Sequence, residues 1–283
     1  MQYLHYDREQ LDRQYNVRIG IARFQDIFDR WNAQAKAYRQ QHTARTNLHY
    51  GMHRLQTLDY FPAEEENAPL LVFVHGGYWR SLDKDGFSHV AAPYLQAGIA
   101  VALLNYRLAP EVDMPGIVAD VCAGFAWLYR QAATLGFDPQ RMHVAGHSAG
   151  GHLAAMLAST DWHAFNLPAD AVKGLCCISG LYDLEPIRLC YLNETLRLDE
   201  PQVAQFSPLH HLPPTTMPVV LTAGGTESAE FHRQMAAYAE RLAHAGFSVQ
   251  RVRLSDGHHL DVIDKFGDRD GELARALVAM IGN

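Results

Sequence analysis

The sequence predicts an α/β fold, a mostly parallel central sheet with helices on both faces, and three observations carry that expectation. Short apolar runs rich in β-branched residues recur at 70–74, 99–104, 142–145, 172–178 and 218–222, as in strands buried on both faces. Helical patterns lie between them: Val118, Val121, Cys122, Phe125, Leu128 and Tyr129 share one face, and Phe231, Met235, Tyr238 and Leu242 share another. No segment repeats at solenoid or propeller spacing, so strand and helix alternate along one continuous architecture built by right-handed crossovers.

In chain order, Ile21, Phe24, Phe28 and Trp31 mark an amphipathic helix in an N-terminal extension of about 50 residues, judged by the same periodicity. No linker sets this extension apart, so residues 1–283 are expected to form a single domain with the extension packed on it. Residues 54–61 alternate like a half-buried strand and precede the buried run at 70–74. Gly136 stops the helix that follows the run at 99–104. After the run at 142–145 comes an Ala-rich helical stretch at 153–158. Gly246 stops the last long helix before a final strand at 247–254.

Composition removes several classes of function. Of 283 residues 48% are hydrophobic and 19% charged, enough to bury a sizeable core and too apolar for a disordered chain. Lys and Arg number 24 against 31 Asp and Glu, a net charge of −7 with no basic run, which excludes a nucleic-acid partner. Residues 1–10 carry Asp7, Arg8 and Glu9 and lack the apolar core of a signal peptide, and no apolar run reaches spanning length. The expected compartment is the cytoplasm, with no membrane partner. Cys122, Cys176, Cys177 and Cys190 show neither a CxxC pair nor metal-ligand spacing and read as reduced core residues. No cofactor and no metal ion is expected; the partner is a small-molecule substrate, and assembly into homo-oligomers is left open.

The strongest motif is Gly146-His147-Ser148-Ala149-Gly150-Gly151, between the strand at 142–145 and the helix at 153–158. In such a nucleophile elbow the glycines allow a sharp reversal that exposes the serine above the sheet, at the N-terminus of a helix. The order GHSAGG differs from the GxGxxG of dinucleotide-binding folds, which are set aside. A second motif, His75-Gly76-Gly77-Tyr78-Trp79, ends the strand at 70–74. Acyl transfer builds negative charge on a carbonyl oxygen, and the backbone N–H groups of Gly76, Gly77 and Ala149 are candidates to receive it. Tyr78 and Trp79 are candidate stacking walls for a substrate.

A serine nucleophile needs a histidine base and an orienting carboxylate, in the chain order Ser, acid, His. His258 and His259 follow the last strand through the turn Ser255-Asp256-Gly257, and His259 is preferred because Leu260, Val262 and Ile263 begin a packed segment. Glu227, after the strand at 218–222 and the turn Ala223-Gly224-Gly225-Thr226, is the leading acid. Asp183, Glu230, Asp256 and Asp261 are its rivals. His152, one turn beyond Ser148, reads as packing or pocket wall.

With these residues in place the chain resembles the kynurenine formamidase (arylformamidase) branch of the α/β-hydrolases, near the esterase and lipase families that carry an HGG loop. The resemblance runs from Tyr6-Asp7-Arg8 and Gln14-Tyr15-Asn16 through the HGGYW loop and the GHSAGGH elbow. It continues through residues 178–186, Leu192-Asn193-Glu194 and residues 227–231 to His258-His259-Leu260. It implies an α/β-hydrolase fold and a metal-free serine hydrolase that removes formate from N-formyl-L-kynurenine or a related aryl formamide. The implied nucleophile is Ser148, the acid Glu227 and the base His259, with Gly76 and Gly77 at the oxyanion. Glu227 stands where well-studied formamidases commonly have Asp, and His258 where they have Asp. Carboxylesterase or amidase action on another small ester or aromatic amide uses the same residues and is the alternative.

Overall fold

In the computed structural model, which describes residues 3–282, the chain starts with two helices, α1 (Arg8–Tyr15) and α2 (Phe24–Gln41). Strands β1 (Arg45–His49), β2 (Thr57–Phe61) and β3 (Ala68–Val74) follow, then the short helix α3 (Ala92–Gln96) and β4 (Ala100–Leu104). The long helix α4 (Met114–Leu135) leads to β5 (Phe137–His147), α5 (Ala149–Ala158) and β6 (Leu175–Ile178). Three short helices, α6 (Glu185–Leu189), α7 (Asn193–Leu196) and α8 (Glu200–Phe206), precede β7 (Val219–Gly224). The chain closes with α9 (Ala229–His244), β8 (Val249–Leu254), α10 (Asp261–Phe266) and α11 (Glu272–Gly282).

All eight strands join one sheet in the order β1-β2-β4-β3-β5-β6-β7-β8. β2 pairs antiparallel with both β1 and β4, and every pair from β4 across to β8 is parallel. Period-two alternation along β3 divides the core: Leu70, Val72 and Val74 pack on one face, Leu71 and Phe73 on the other. Helices cover both faces, as the strand–helix alternation requires. α4 begins where Asp113 accepts from the Gly116 N–H and ends at Gly136 in the left-handed region, and it buries Val121, Phe125 and Leu128. Every residue of α5 is buried, which accounts for its small, Ala-rich sequence.

Local differences from the sequence expectation have physical causes. The strand expected at 54–61 begins at Thr57 and is buried at every position, because it lies inside the sheet between β1 and β4. Its Asp59 is held against the buried Lys84 Nζ at 2.9 Å. Ile21 lies before α2, whose N-cap Arg23 takes a left-handed conformation. All four cysteines are buried and free. Among the described residues no helix is long and apolar enough to cross a membrane.

Parallel register brings the functional loops together. Val74 stands opposite Gly146, His147 opposite Ile178, and Ile178 opposite Thr222, so β3, β5, β6 and β7 release their following loops along one edge. Gly224 stands opposite Leu254, which adds the loop after β8. Open α/β sheets place their sites at these carboxyl ends of strands.

Candidate active site

Ser148 sits between β5 and α5 with φ +57° and ψ −121°, a left-handed backbone that a non-glycine residue holds only where its surroundings fix it. Its N–H donates to the Ile178 carbonyl at 2.8 Å. Gly150 makes the turn feasible: a Cβ there would stand 2.0 Å from the Val74 carbonyl oxygen, so only glycine lets α5 begin against the end of β3.

Ser148 Oγ lies 2.8 Å from His259 Nε2, and His259 Nδ1 lies 2.8 Å from Glu227 Oε2. Ser148 and His259 are buried, as is the Glu227 carboxylate. Glu227 Oε1 accepts from Ser179 Oγ at 2.5 Å and from the Gly224 N–H at 2.6 Å. Burial alone would raise the pKa of this carboxyl, but the charge and hydrogen bond of His259, with Ser179 and Gly224 donating, hold it below the usual carboxylate value. The carboxylate accepts the Nδ1–H of the imidazole, which leaves the Nε2 lone pair facing the serine hydroxyl.

The structure brings none of the rival residues into this chain of contacts. Asp183 accepts from Tyr3 and lies 3.6 Å from Arg233, and buried Glu230 accepts from Tyr15 and Arg233. Asp256 faces Lys265 and Asp261 faces His258, whose Nδ1 accepts from the backbone N–H groups of Leu260 and Asp261.

Gly76 packs against the elbow, where a Cβ would stand 3.1 Å from that of Ser148. Gly77 takes φ +106°, and a Cβ would meet the Ser81 carbonyl oxygen at 2.2 Å. Ala149 is the first residue of α5, so its N–H has no partner within the helix. Among the described residues the N–H groups of Gly76, Gly77 and Ala149 donate no hydrogen bond. Three such donors beside a serine, one of them at a helix N-terminus, suit developing negative charge.

Two contributors escape sequence reasoning. Ser179 follows β6 and reaches Glu227 only through strand register. His147 donates from Nε2 to the His259 carbonyl at 2.8 Å, and its ring lies 4.7 Å from that of His259. Burial and the neighbouring His259 depress its pKa to about 3, so it is neutral. Its place before Ser148 was visible in the motif, but its partner was not.

A cavity of about 680 Å³ opens over Ser148 and His259. One side is the loop after β3, including Tyr78; the other is the N-terminal extension, with Phe28, Trp31 and residues 16–18, and Tyr191 closes a third. Tyr78 lies at this wall with its hydroxyl donated to the Tyr15 carbonyl. Trp79 corrects the sequence expectation: it is fully buried in the core, its indole N–H donated to His152 Nδ1 at 3.1 Å, and it does not line the cavity. Tyr78 and Trp79 both have positive φ, +50° and +56°, and both are buried in the core, but only Tyr78 also lines the cavity. His152 is a packing residue, bonded on its other nitrogen to the Phe206 carbonyl. Among the described residues no group of three or more His, Cys, Asp or Glu side chains is placed to hold a metal ion.

The BD-FAE family model matches residues 58–242. Kynurenine formamidase of Danio rerio is 32% identical over 240 residues, spanning 82% of this chain and 80% of that protein. Kynurenine formamidase of Salmo salar is 31% identical over 244 residues, spanning 83% of this chain and 81% of its own. Among solved structures, one from Silicibacter sp. TM1040, described provisionally as a thioesterase, superposes with a TM-score of 0.84 at 32% identity, covering 97% of this chain and 99% of that one.

Proposed function

We infer that this chain, which belongs to the BD-FAE family and is an arylformamidase-like α/β-hydrolase, cleaves the formamide bond of N-formyl-L-kynurenine or a related aryl formamide. The observation that carries the reading is the continuous relay from Ser148 through His259 to Glu227, opening into a cavity with aromatic walls. Ser148 Oγ attacks the formyl carbon as His259 Nε2 takes its proton. The N–H groups of Gly76, Gly77 and Ala149 receive the charge on the formyl oxygen. The C–N bond then breaks, and the departing arylamine takes the proton from His259. Water, deprotonated by the same histidine, attacks the formyl ester on Ser148; formate leaves and the serine is restored. No step requires a metal ion.

A formyl group needs little room on the acyl side, whereas the aryl portion needs a broad apolar wall, which Tyr78, Phe28, Trp31 and Tyr191 supply. Added acyl methylenes cost roughly 10- to 200-fold each in rate where space is confined. The test is kcat/KM for formate release from N-formylkynurenine beside p-nitrophenyl esters from acetate to octanoate. The formamide should lead, with esters falling as the chain lengthens. A preference for octanoate with no formate released would transfer the assignment to carboxylic esters. Ser148→Ala should stay folded and lose several orders of magnitude in kcat, as in other serine triads; near-normal turnover in that variant would remove Ser148 from the mechanism.

A further inference from the structure

The formally charged side chains that line the cavity are all of one sign. In a chain with net charge −7, the side chains lining the space over Ser148 include two arginines, Arg18 and Arg80, and no Asp or Glu. Arg30, Arg107, Arg188 and Arg233 face carboxylates, whereas among the described residues Arg18 and Arg80, like several surface arginines, face none; these two differ from the others in lining the cavity. Each is positioned by an uncharged neighbour. Arg18 lies over the Phe24 ring at 4.5 Å, while Arg80 donates to Thr195 Oγ1 at 3.1 Å and lies 5.7 Å from the centre of the Tyr191 ring. Neither contact neutralises the charge.

The two arginines come from opposite walls, Arg18 from the N-terminal extension and Arg80 from the loop after β3. An anion between those walls gains charge-assisted hydrogen bonds, because guanidinium forks match the planar geometry of a carboxylate. The small formyl group occupies only the space at Ser148, so the anion must belong to the remainder of the substrate.

We propose that Arg18 and Arg80 form a carboxylate subsite that selects substrates bearing an anionic group on the arylamine side of the scissile bond. The proposal rests on the hydrolase reading above and narrows it from aryl formamides to anionic ones. It predicts recognition through the leaving portion, with the acyl portion limited by space.

The experiment compares N-formylkynurenine with N-formylkynuramine, which lacks only the carboxylate, at one fixed salt concentration. Formate release is measured for the unmodified protein, Arg18→Gln, Arg80→Gln and the double variant. The unmodified protein should favour the carboxylate-bearing substrate by about tenfold to a hundredfold in kcat/KM, the range of a hydrogen-bonded charge. That ratio should collapse toward one in the double variant, with the change in KM, and should partly survive in Arg80→Lys. General loosening of the cavity would slow both substrates and preserve the ratio. A ratio near one in the unmodified protein, or an undiminished ratio in the double variant, overturns the subsite. If Arg80→Gln fails to fold, the exposed Arg18→Gln alone must lower the ratio. If neither formamide releases formate, the formamide reading fails separately, and the ratio is taken on 4-acetoxybenzoate against phenyl acetate. A lead for the anion that is lost in the double variant then supports the subsite, and equal rates overturn it.

Discussion

Glu227 is a carboxylate kept charged while almost wholly out of water. Its side chain is 1% exposed, a situation that costs several kcal/mol for an unpaired ion and persists only because three donors converge on it. Those donors also decide what it can do: an ionised carboxylate can only accept, so it fixes the proton of His259 on Nδ1. Glu227→Gln retains the size but offers an amide that can present either end to the imidazole. We expect a loss in kcat of roughly 10⁴, the cost of a wrong tautomer in serine triads, while Asp183→Asn stays within a few-fold. A dead Asp183→Asn with an active Glu227→Gln would reverse the assignment of the acid. Ser148, Glu227 and His259 were legible because each follows a strand through a recognisable turn. Ser179 and His147 were not, since their partners are set by register and loop packing and not by local spacing. Trp79 misled because HGGYW reads the same whether its last ring faces a cavity or the core.

The N-terminal extension matters as an element because it builds one wall of the cavity and is fixed at both ends. Tyr15, at the end of α1, donates to Glu230 Oε2 at 2.8 Å, accepts from Gln234 Nε2 at 2.7 Å, and receives the Tyr78 hydroxyl on its carbonyl at 2.6 Å. At the other end, Trp31 of the wall and its neighbour Arg30, both in α2, bond Asp264 of α10. Tyr15→Phe keeps the ring and removes one oxygen, leaving buried Glu230 and Gln234 each short of a partner. The expected cost is about 1–3 kcal/mol, read as a fall of several degrees in Tm and a rise in KM for the proposed aryl formamide. Unchanged Tm and KM would mean that the anchor does not hold the wall. α2 was visible in the sequence through its aromatic stripe. α1 was not, because it is largely polar and buries only Leu11 and Tyr15. β1 was hidden for a related reason: as an edge strand with mostly exposed side chains, it carries no apolar alternation.

Over the whole molecule, packing both faces of the sheet strands histidines in surroundings that reject charge. Burial depresses the pKa of His89, His143 and His152 to about 4 and that of His147 to about 3, with Arg141 and Lys173 adding to the fall at His143 and His259 at His147. In the unfolded chain these side chains would titrate near about 6.5. Between those limits the unfolded chain binds protons that the folded one refuses, so stability is full above about pH 6.5 and is lost as the pH falls toward 4. At one pH unit below the unfolded value each histidine costs roughly 1.4 kcal/mol, so the four together remove several kcal/mol from a total that is usually about 5–15. Glu227 works in a lower window. Its depressed pKa adds stability above the unfolded carboxylate value of about 4.3 and loses it only beneath that, so it does not contribute to the decline nearer neutrality. Urea unfolding at pH 7.5, 6.5, 5.5 and 5.0 should therefore show a midpoint that falls steadily over the lower three values. His143→Gln, within β5 and outside the Ser148–His259–Glu227 contacts, should flatten part of that fall. A midpoint that stays level down to pH 5, with the decline starting only where carboxylates titrate, would show that the buried histidines are not what limits this fold in acid.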